Sequence, residues 1–214
     1  KRHVILAPTG IAAVNAGGVT LHSFFKLPFK PLLPDAPDFA TPRRMRERMK
    51  YSRTFIKLLN EIELIVIDEI SMVRADIIDF IDRLLRIYCH NSRDPFAGKQ
   101  LLLVGDVFQL EPVVTSDTRE ILRRHYPNPF FFSAFKISQI IPIELKKVYR
   151  QADQHFISIL DRIRTGVPTD DDIRTLNARV ATDSAQSGTN AGNMPMSMTL
   201  ATRRDMVDHI NEQH

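Results

Sequence analysis

The stretch Leu64-Ile65-Val66-Ile67-Asp68-Glu69 decides how the rest of this chain is interpreted. Four consecutive apolar residues predict a strand that is buried on both faces, as in a parallel sheet. The two acids follow at the carboxyl end of that strand, which is where open α/β sheets bind ligands. Carboxylates in this position can hold Mg²⁺ beside a nucleotide phosphate. The alternative is that one acid only caps the following helix, which is a common role for such residues.

The composition is that of an ordinary globular protein. The chain has 214 residues, of which 43% are hydrophobic and 25% are charged, enough for one domain or for one and part of another. No apolar run approaches the roughly 20 residues of a membrane-spanning helix, and no secretory signal is visible. Cys89 is the single cysteine, which excludes an internal disulfide and a multi-cysteine zinc site. A reducing intracellular compartment fits this usage.

The charge distribution is compatible with a polyanionic partner. The net charge is +4 and the pI is near 9.3, a modest excess that many enzymes share. Its clustering is more informative, because six basic residues fall close together with Glu47 as the only acid among them. They are Arg43, Arg44, Arg46, Arg48, Lys50 and Arg53. This cluster fits a solvated helix face and a phosphate-contacting surface equally well.

Short apolar strands alternate with helical patterns, which predicts a parallel sheet covered by helices on both faces. Besides residues 64–67, strands are predicted at residues 3–7, 101–104, 140–144 and 198–201. The strand at 101–104 also runs into a glycine and an acid. In a parallel sheet these strand ends emerge along one edge.

The helical patterns and loops lie between these strands. Five prolines within residues 27–42 exclude a regular element there. A basic amphipathic helix is predicted over residues 43–60, and another helix over 153–164. Thr169 and Asp172 have the spacing of a capping box. Residues 183–197 are polar and rich in Gly, Ser and Asn, which predicts a loop or linker.

Five stretches, in this order, resemble motifs of the superfamily 1 DNA helicases. They are APTGIAA (7–13), GGVTLHSFF (17–25), VIDEISMV (66–73), LLLVGDVFQLEPV (101–113) and LKKVYRQ (145–151). They most resemble the petite-integration-frequency branch, whose members are relatives of the RecD-type enzymes. In addition, ATRRDMVDHIN (201–211) resembles the start of the second motor domain of such enzymes.

The resemblance implies an incomplete RecA-like motor fold of the P-loop NTPase class, with helices on both faces of a parallel sheet. Residues 1–145 would form the first motor domain, and residues 146–214 the start of the second, including the loop at 183–197. The implied activity is that of an ATP-dependent DNA helicase that moves 5′ to 3′ on single-stranded DNA. The implied cofactors are ATP and Mg²⁺, and the implied partners are single-stranded DNA and DNA junctions. The implied location is the bacterial cytoplasm, or the nucleus or mitochondrion of a eukaryote.

The resemblance also assigns roles at the nucleotide site. Asp68 and Glu69 match the acid that binds magnesium and the residue that orients or activates the attacking water. Gln109 matches the glutamine that senses the γ-phosphate, and Arg150 matches the arginine that stabilises charge on the transferred phosphoryl group. Phosphoryl transfer requires groups of these kinds, namely a metal clamp, a positioned nucleophile and a cation.

A second set of residues is expected along the single-strand channel. By the same resemblance these are Pro8, Thr9, His22, Phe24 and Phe25. Hydroxyls and backbone amides can hold phosphates, and aromatic rings can stack on bases without reading sequence. Core packing is the alternative for the two phenylalanines, and we expect one of them to be buried. His22 fits an ordinary hydrogen-bonded histidine as well as a DNA contact.

The chain departs from the family in one respect, since it contains no G-x-x-x-x-G-K-[ST] phosphate loop. We therefore expect a fragment that binds ATP poorly and does not unwind DNA by itself. The strand that precedes such a loop is expected beside the strand ending at Asp68, so its absence should expose strand edges and favour self-association. The alternatives are a non-catalytic nucleic-acid-binding module and a different ATPase, such as a transporter or remodeller motor.

Overall fold

Four parallel strands form a single sheet in the computed structural model, which describes residues 2–134, 140–149, 151–180 and 200–212. The strands are β1 (His3–Ala7), β2 (Val19–Thr20), β3 (Leu64–Ile67) and β4 (Gln100–Leu103), in the order β2-β1-β3-β4. The predicted parallel sheet is thus confirmed, and β1 and β3 have the predicted bounds. Prediction missed β2 because two residues are too few to form a recognisable pattern.

The two faces of the sheet are covered unequally. On one face Ile65 and Ile67 are each only 1% exposed and belong to the main hydrophobic core. On the other face, the row of paired residues Ile5, Val66 and Leu102 reaches the surface, and Leu102 is 48% exposed. Successive residues of a strand point to opposite faces, so the apolar run of β3 supplies one closed and one partly open face.

The free edges of the sheet do not lie beside β3. This strand pairs with β1 on one side and with β4 on the other, through four residue pairs on each side. The expectation of a missing strand next to the one ending at Asp68 was therefore wrong. Within the described ranges β2 pairs with β1 alone and β4 pairs with β3 alone, so these two strands form the edges of the sheet, and β4 is the longer of the two.

Nine α-helices are assigned in the described parts of the chain. They are α1 (Gly10–Asn15), α2 (Leu21–Phe25), α3 (Pro42–Met49), α4 (Arg53–Glu61), α5 (Ala75–Tyr88), α6 (Ser116–Leu122), α7 (Gln154–Arg164), α8 (Asp170–Asn177) and α9 (Arg204–Glu212). The most buried is α5, which contributes Phe80, Leu84 and Leu85 to the core at helical spacing. The capping box predicted at Thr169 and Asp172 is present at the start of α8.

The single basic helix predicted over residues 43–60 is two helices. It breaks at Lys50, which adopts a left-handed conformation with φ 34°. Ser52 then caps α4 by accepting a hydrogen bond from the Phe55 N–H. Between them, Tyr51 is buried and its hydroxyl donates to the Phe25 carbonyl. This tertiary contact, together with the cap, outweighs the continuous helical pattern.

The strand predicted at residues 140–144 is absent, since no secondary structure is assigned to this segment, and Ile141 and Ile143 are 88% and 81% exposed. At 198–201, residues 200 and 201 are not in a strand, and the first two positions lie outside the described residues. The loop predicted at 183–197 also lies outside them.

The chain divides into two compact units, Lys1–Asp153 and Gln154–His214. The first contains the whole sheet and α1 to α6, and the second contains α7 to α9. The assignment of residues 146–214 to a second motor domain stays a prediction. Within the described ranges, no helix is both long and apolar enough to cross a membrane.

Candidate functional site

The carboxyl ends of β1, β3 and β4 meet along one edge of the sheet. The Asp68 N–H donates to the Leu6 carbonyl at 2.9 Å, and the Ile70 N–H donates to the Val104 carbonyl at 3.0 Å. These bonds extend the strand pairing past the last ladder residues, so the segments that follow the three strands start side by side. The sequence-based expectation of a shared edge is met for Thr9, Asp68 and Gly105.

The backbone turns sharply at the two acids. Glu69 is left-handed, with φ 51° and ψ 44°, a conformation that costs a non-glycine residue about 1–2 kcal/mol. The Asp68 carboxylate accepts a hydrogen bond from the Glu69 N–H at 3.0 Å. Both side chains are half-buried. Strained residues of this kind cluster at functional sites, and here the strained residue is itself one of the two consecutive acids. In this structure Asp68 bonds the next residue, and the short helical turn at Ile70–Met72 has no side-chain cap.

Gly105 holds the segment after β4 against the segment after β3. A Cβ atom at this position would lie 3.0 Å from the Ile70 backbone nitrogen and 3.1 Å from the Ile70 Cγ2. Both distances are tighter than ordinary van der Waals contact. Glycine is therefore required by close approach of two backbones, and this approach brings the turn at residues 106–109 next to the acids.

Asp106 organises that turn. Its carboxylate accepts hydrogen bonds from the Phe108 N–H at 3.0 Å and from the Gln109 side-chain amide at 3.1 Å. Gln109 is exposed, and its amide is held by Asp106 rather than by Asp68 or Glu69. We call Asp68, Glu69 and the 105–109 turn the acidic edge. Arg150, the remaining predicted nucleotide contact, lies outside the described residues.

The acidic edge has a donor set that suits magnesium. Mg²⁺ is held in nucleotide enzymes by one or two carboxylates together with phosphate oxygens and water, and Asp68 and Glu69 supply two adjacent carboxylates. Within the described part of the chain there is no group of three or more His, Cys, Asp or Glu residues fit to hold a metal by themselves. Ser71 adds a buried hydroxyl that lacks a hydrogen-bond partner among the described residues, and such a group is normally satisfied by water or a ligand.

The predicted DNA contacts are divided between the surface and the core. Pro8 and His22 line one pocket, and Thr9 caps α1 by accepting from the Ala12 N–H at 3.2 Å. Phe24 is half-buried, whereas Phe25 is fully buried and packs edge-on against it. The expectation that one of the two rings is buried is confirmed for Phe25. Phe25 is therefore excluded as a DNA contact, because a ring enclosed by the core has no face left for a base.

The pocket contains an aromatic ring that prediction missed. It has a volume of about 370 Å³ and is lined by Pro8, Thr20, His22, Ser23, Leu27 and Phe29. The rings of His22 and Phe29 are parallel within 3°, with centroids 5.0 Å apart, which is an offset stack. We call this set of residues the aromatic pocket.

Burial and a nearby cation favour the neutral form of His22. Burial lowers the pKa of its imidazole, the positive charge of Arg74 lowers it further, and Asp76 opposes both effects. Asp76 has no exposed side-chain surface; it binds Arg74 through two hydrogen bonds of 2.8 Å each and accepts the Leu32 N–H at 2.8 Å. The buried carboxylate thus ties the proline-rich segment to α5, behind the aromatic pocket.

The basic cluster is partly engaged in contacts within the chain. Arg43 pairs with Glu47 one helical turn away, Arg44 donates to the Pro37 carbonyl, and Arg46 donates to the Ile87 carbonyl. These contacts favour a structural use for half of the cluster. They leave its role toward phosphates as a prediction.

Known proteins share both the sequence pattern and the fold. A model of the PIF1-like helicase family matches residues 1–173. The chain belongs to this family. It is 34% identical to the ATP-dependent DNA helicase PIF1 of Homo sapiens over 212 residues, which cover 98% of this chain and 29% of that relative.

Two solved structures show the same architecture. The Pif1 helicase from Bacteroides in complex with ADP-AlF3 and ssDNA matches with a TM-score of 0.82 and 39% identity, over 100% of this chain and 47% of that one. A structure of two coordinating Pif1 helicases, concerned with unwinding at forked dsDNA, matches with a TM-score of 0.73 and 44% identity, over 82% of this chain and 41% of that one. This PIF1-like chain therefore has the predicted RecA-like fold, and it spans less than half the length of these proteins.

Two functional candidates escaped sequence reasoning for different reasons. Asp106 was noted only as an acid after a glycine, although its spacing to Gln109 is that of a side chain that can organise a turn. Phe29 lies in the proline-rich segment, where the only sequence signal is an aromatic residue between Pro28 and Pro31. Nothing in the sequence places that ring beside His22.

Proposed function

We propose that this chain is part of the motor of an ATP-dependent DNA helicase. The observation that carries the proposal is the acidic edge, where two carboxylates and a glutamine-bearing turn follow neighbouring strands of a PIF1-like sheet. In the complete protein, ATP hydrolysis would drive closure of two motor domains and stepping along single-stranded DNA in the 5′-to-3′ direction. Relatives that carry the name ATP-dependent DNA helicase support this activity.

Each residue of the acidic edge has a role in this proposal. Asp68, with Glu69 beside it, would hold Mg²⁺, which when bound neutralises charge on the phosphate oxygens of ATP. Glu69 orients the attacking water and accepts its proton. Gln109 reports the presence of the γ-phosphate through its amide, and Arg150 stabilises the charge that develops on the transferred group. The left-handed turn at Glu69 lets consecutive acids serve different partners.

The same strand edge would guide DNA. We propose that Pro8, Thr9, His22 and Phe24 lie along the path of the single strand, with the hydroxyl and backbone groups facing phosphates and the rings facing bases. The binding of ssDNA by the Bacteroides relative supports this path. We propose DNA junctions as the wider class of substrate. We also propose that the protein acts inside the cell. Residues 146–214 would open the second motor domain.

The test uses the complete reading frame that encodes this chain. We expect ATP hydrolysis that is stimulated by single-stranded DNA, and unwinding of a duplex with a 5′ single-stranded tail. Glu69→Gln should slow hydrolysis by about 10³-fold while nucleotide binding persists, because the amide keeps the shape of the side chain and loses its basicity. Full turnover in the variant would contradict the role of Glu69. Tight DNA binding by a wild-type protein that does not hydrolyse ATP would instead favour the non-catalytic module.

We also propose that the 214-residue chain associates with itself through the edge of β4. Within the described residues this strand pairs only with β3, and Leu102 and Val104 beside the open edge are 48% and 41% exposed. Exposed edges of this kind pair with strands from other chains. Sedimentation velocity should detect dimers or larger species that diminish in Leu102→Lys. A chain that stays monomeric at high concentration would contradict this proposal.

A further inference from the structure

Phe29 is the most exposed phenylalanine among the large hydrophobic residues at the described surface. It is 94% exposed, although Leu27 and Leu32 on either side are 4% and 1% exposed. The hydrophobic effect favours burial of a phenylalanine side chain. Folding alone therefore does not explain why the Phe29 ring is exposed to solvent between the buried residues Leu27 and Leu32.

The backbone places Phe29 firmly. Lys26 ends α2 in a left-handed conformation, and the Leu27 N–H returns to the His22 carbonyl at 2.9 Å, so the chain folds back over His22. Pro28 and Pro31 restrict the backbone on both sides of Phe29, because proline fixes its own φ and disfavours helical geometry in the residue before it, here Leu27 and Lys30. The bond from the Leu32 N–H to buried Asp76 fixes the far end.

One face of the ring is supported and the other is open. His22 stacks parallel to Phe29 at a centroid distance of 5.0 Å, and the fractional exposure of Phe29 leaves its opposite face to solvent. The low pKa of His22 keeps the supporting ring neutral at physiological pH. A flat, supported ring with one open face is suited to a flat aromatic ligand.

We propose that Phe29 stacks on a nucleobase of single-stranded DNA, with His22 as the ring behind it. This inference rests on the proposed function and adds a contact residue to it. The rest of the pocket agrees with a nucleotide, because the hydroxyl-bearing residues Thr20 and Ser23 line it beside the rings. The net charge of +4 also favours a polyanion. A single stacked ring reads no sequence, as a motor that moves along DNA requires.

The first experiment measures the affinity of the complete protein for an oligothymidylate. Phe29→Ala should weaken binding by about 5- to 100-fold, and Phe29→Trp should retain it, since stacking on a base is lost in the first and kept in the second. The matched control is Ile141→Ala, which removes a side chain of similar exposure, 88%, from another segment. Because Phe29 is exposed, its replacement leaves the core intact.

The second measurement separates stacking from an indirect effect. Replacing one nucleotide at a time by an abasic site should reveal a position where wild-type protein loses affinity and Phe29→Ala loses little more. The slope of log affinity against log salt should be the same for both proteins, because stacking changes no phosphate contact. A changed slope, or an equal abasic penalty at every position in both proteins, would show that Phe29 acts through the fold and would overturn the proposal.

The remaining outcomes distinguish failure of the stacking contact from failure of the proposed function on which it rests. If wild-type protein does not bind single-stranded DNA, the proposed function fails and the stacking contact fails with it. If wild-type protein binds and Phe29→Ala binds as tightly as Ile141→Ala, the function stands and the stacking contact is refuted.

Discussion

The acidic edge and the aromatic pocket follow neighbouring strands, yet their side chains are positioned in different ways. The acids are consecutive in sequence, and the left-handed turn at Glu69 places them, while the close approach of Gly105 to Ile70 is the one contact that joins them to a distant segment. The pocket instead joins Pro8, His22 and Phe29, which come from three separate segments. Its geometry depends on the buried Asp76 behind it. A chemical motif can thus be local, whereas a binding surface here requires long-range anchors.

The largest expected effect is a loss of ATP hydrolysis at the acidic edge that leaves DNA binding at the aromatic pocket unchanged. Asp68→Ala in the complete protein removes a proposed metal ligand, which should lower ATP hydrolysis by about 10³-fold, or about 4 kcal/mol. Affinity for single-stranded DNA without nucleotide should not change, because the pocket does not use Asp68. Steady-state hydrolysis and equilibrium DNA binding measure the two effects. A parallel loss of DNA affinity would mean that the regions are not independent.

The next effect should damage the pocket through its anchor. Asp76→Ala leaves Arg74 and the Leu32 N–H without their buried partner, which should destabilise the chain by about 3–5 kcal/mol. Denaturant unfolding of the 214-residue chain measures this. The control is Glu47→Ala, which breaks the exposed pair with Arg43 and should cost less than about 1 kcal/mol. Equal losses in the two variants would refute the anchoring role.

A smaller effect should act on the acidic edge alone. Gly105→Ala forces a methyl group against the Ile70 backbone, which should cost about 1–3 kcal/mol of stability and slow ATP hydrolysis by displacing the turn that carries Gln109. Gly10→Ala is the control, since a Cβ there meets nothing within 4 Å. Unfolding and hydrolysis assays on both variants test this. Wild-type behaviour of Gly105→Ala would show that the close approach is not required.

The smallest expected effect is a pH dependence of the free energy of unfolding that arises from His22 in the aromatic pocket. The pKa of His22 is lowered in the folded chain from 6.5, first by burial and then by Arg74. The unfolded chain therefore binds more protons, so the contribution of His22 to stability is complete above pH 6.5 and is lost as the pH falls below it. Unfolding free energies at about pH 7.5 and about pH 5.5 should differ more in wild-type chain than in His22→Gln. Equal differences would refute the burial of a neutral imidazole.

The sequence pattern was sufficient to predict those elements whose structure is determined by one continuous segment. The apolar run before Asp68 predicted β3 to the residue, and the order of strand ends predicted the shared edge. The sequence pattern gave wrong predictions where a tertiary contact determines the local structure. Buried Tyr51 splits the predicted basic helix, and residues 140–144 are rich in isoleucine but do not belong to the described sheet.

The sequence by itself determined the class of the fold and the chemistry of the acidic edge, because hydrophobic periodicity and consecutive acids are local properties. Only the tertiary structure decided that Phe25 belongs to the core and Phe29 to the surface, that β3 is flanked on both sides, and that β2 and β4 are the edge strands. These choices depend on which distant segments compete for the same buried volume. The free energy of this packing is distributed over many residues, so no single position in the sequence reveals it.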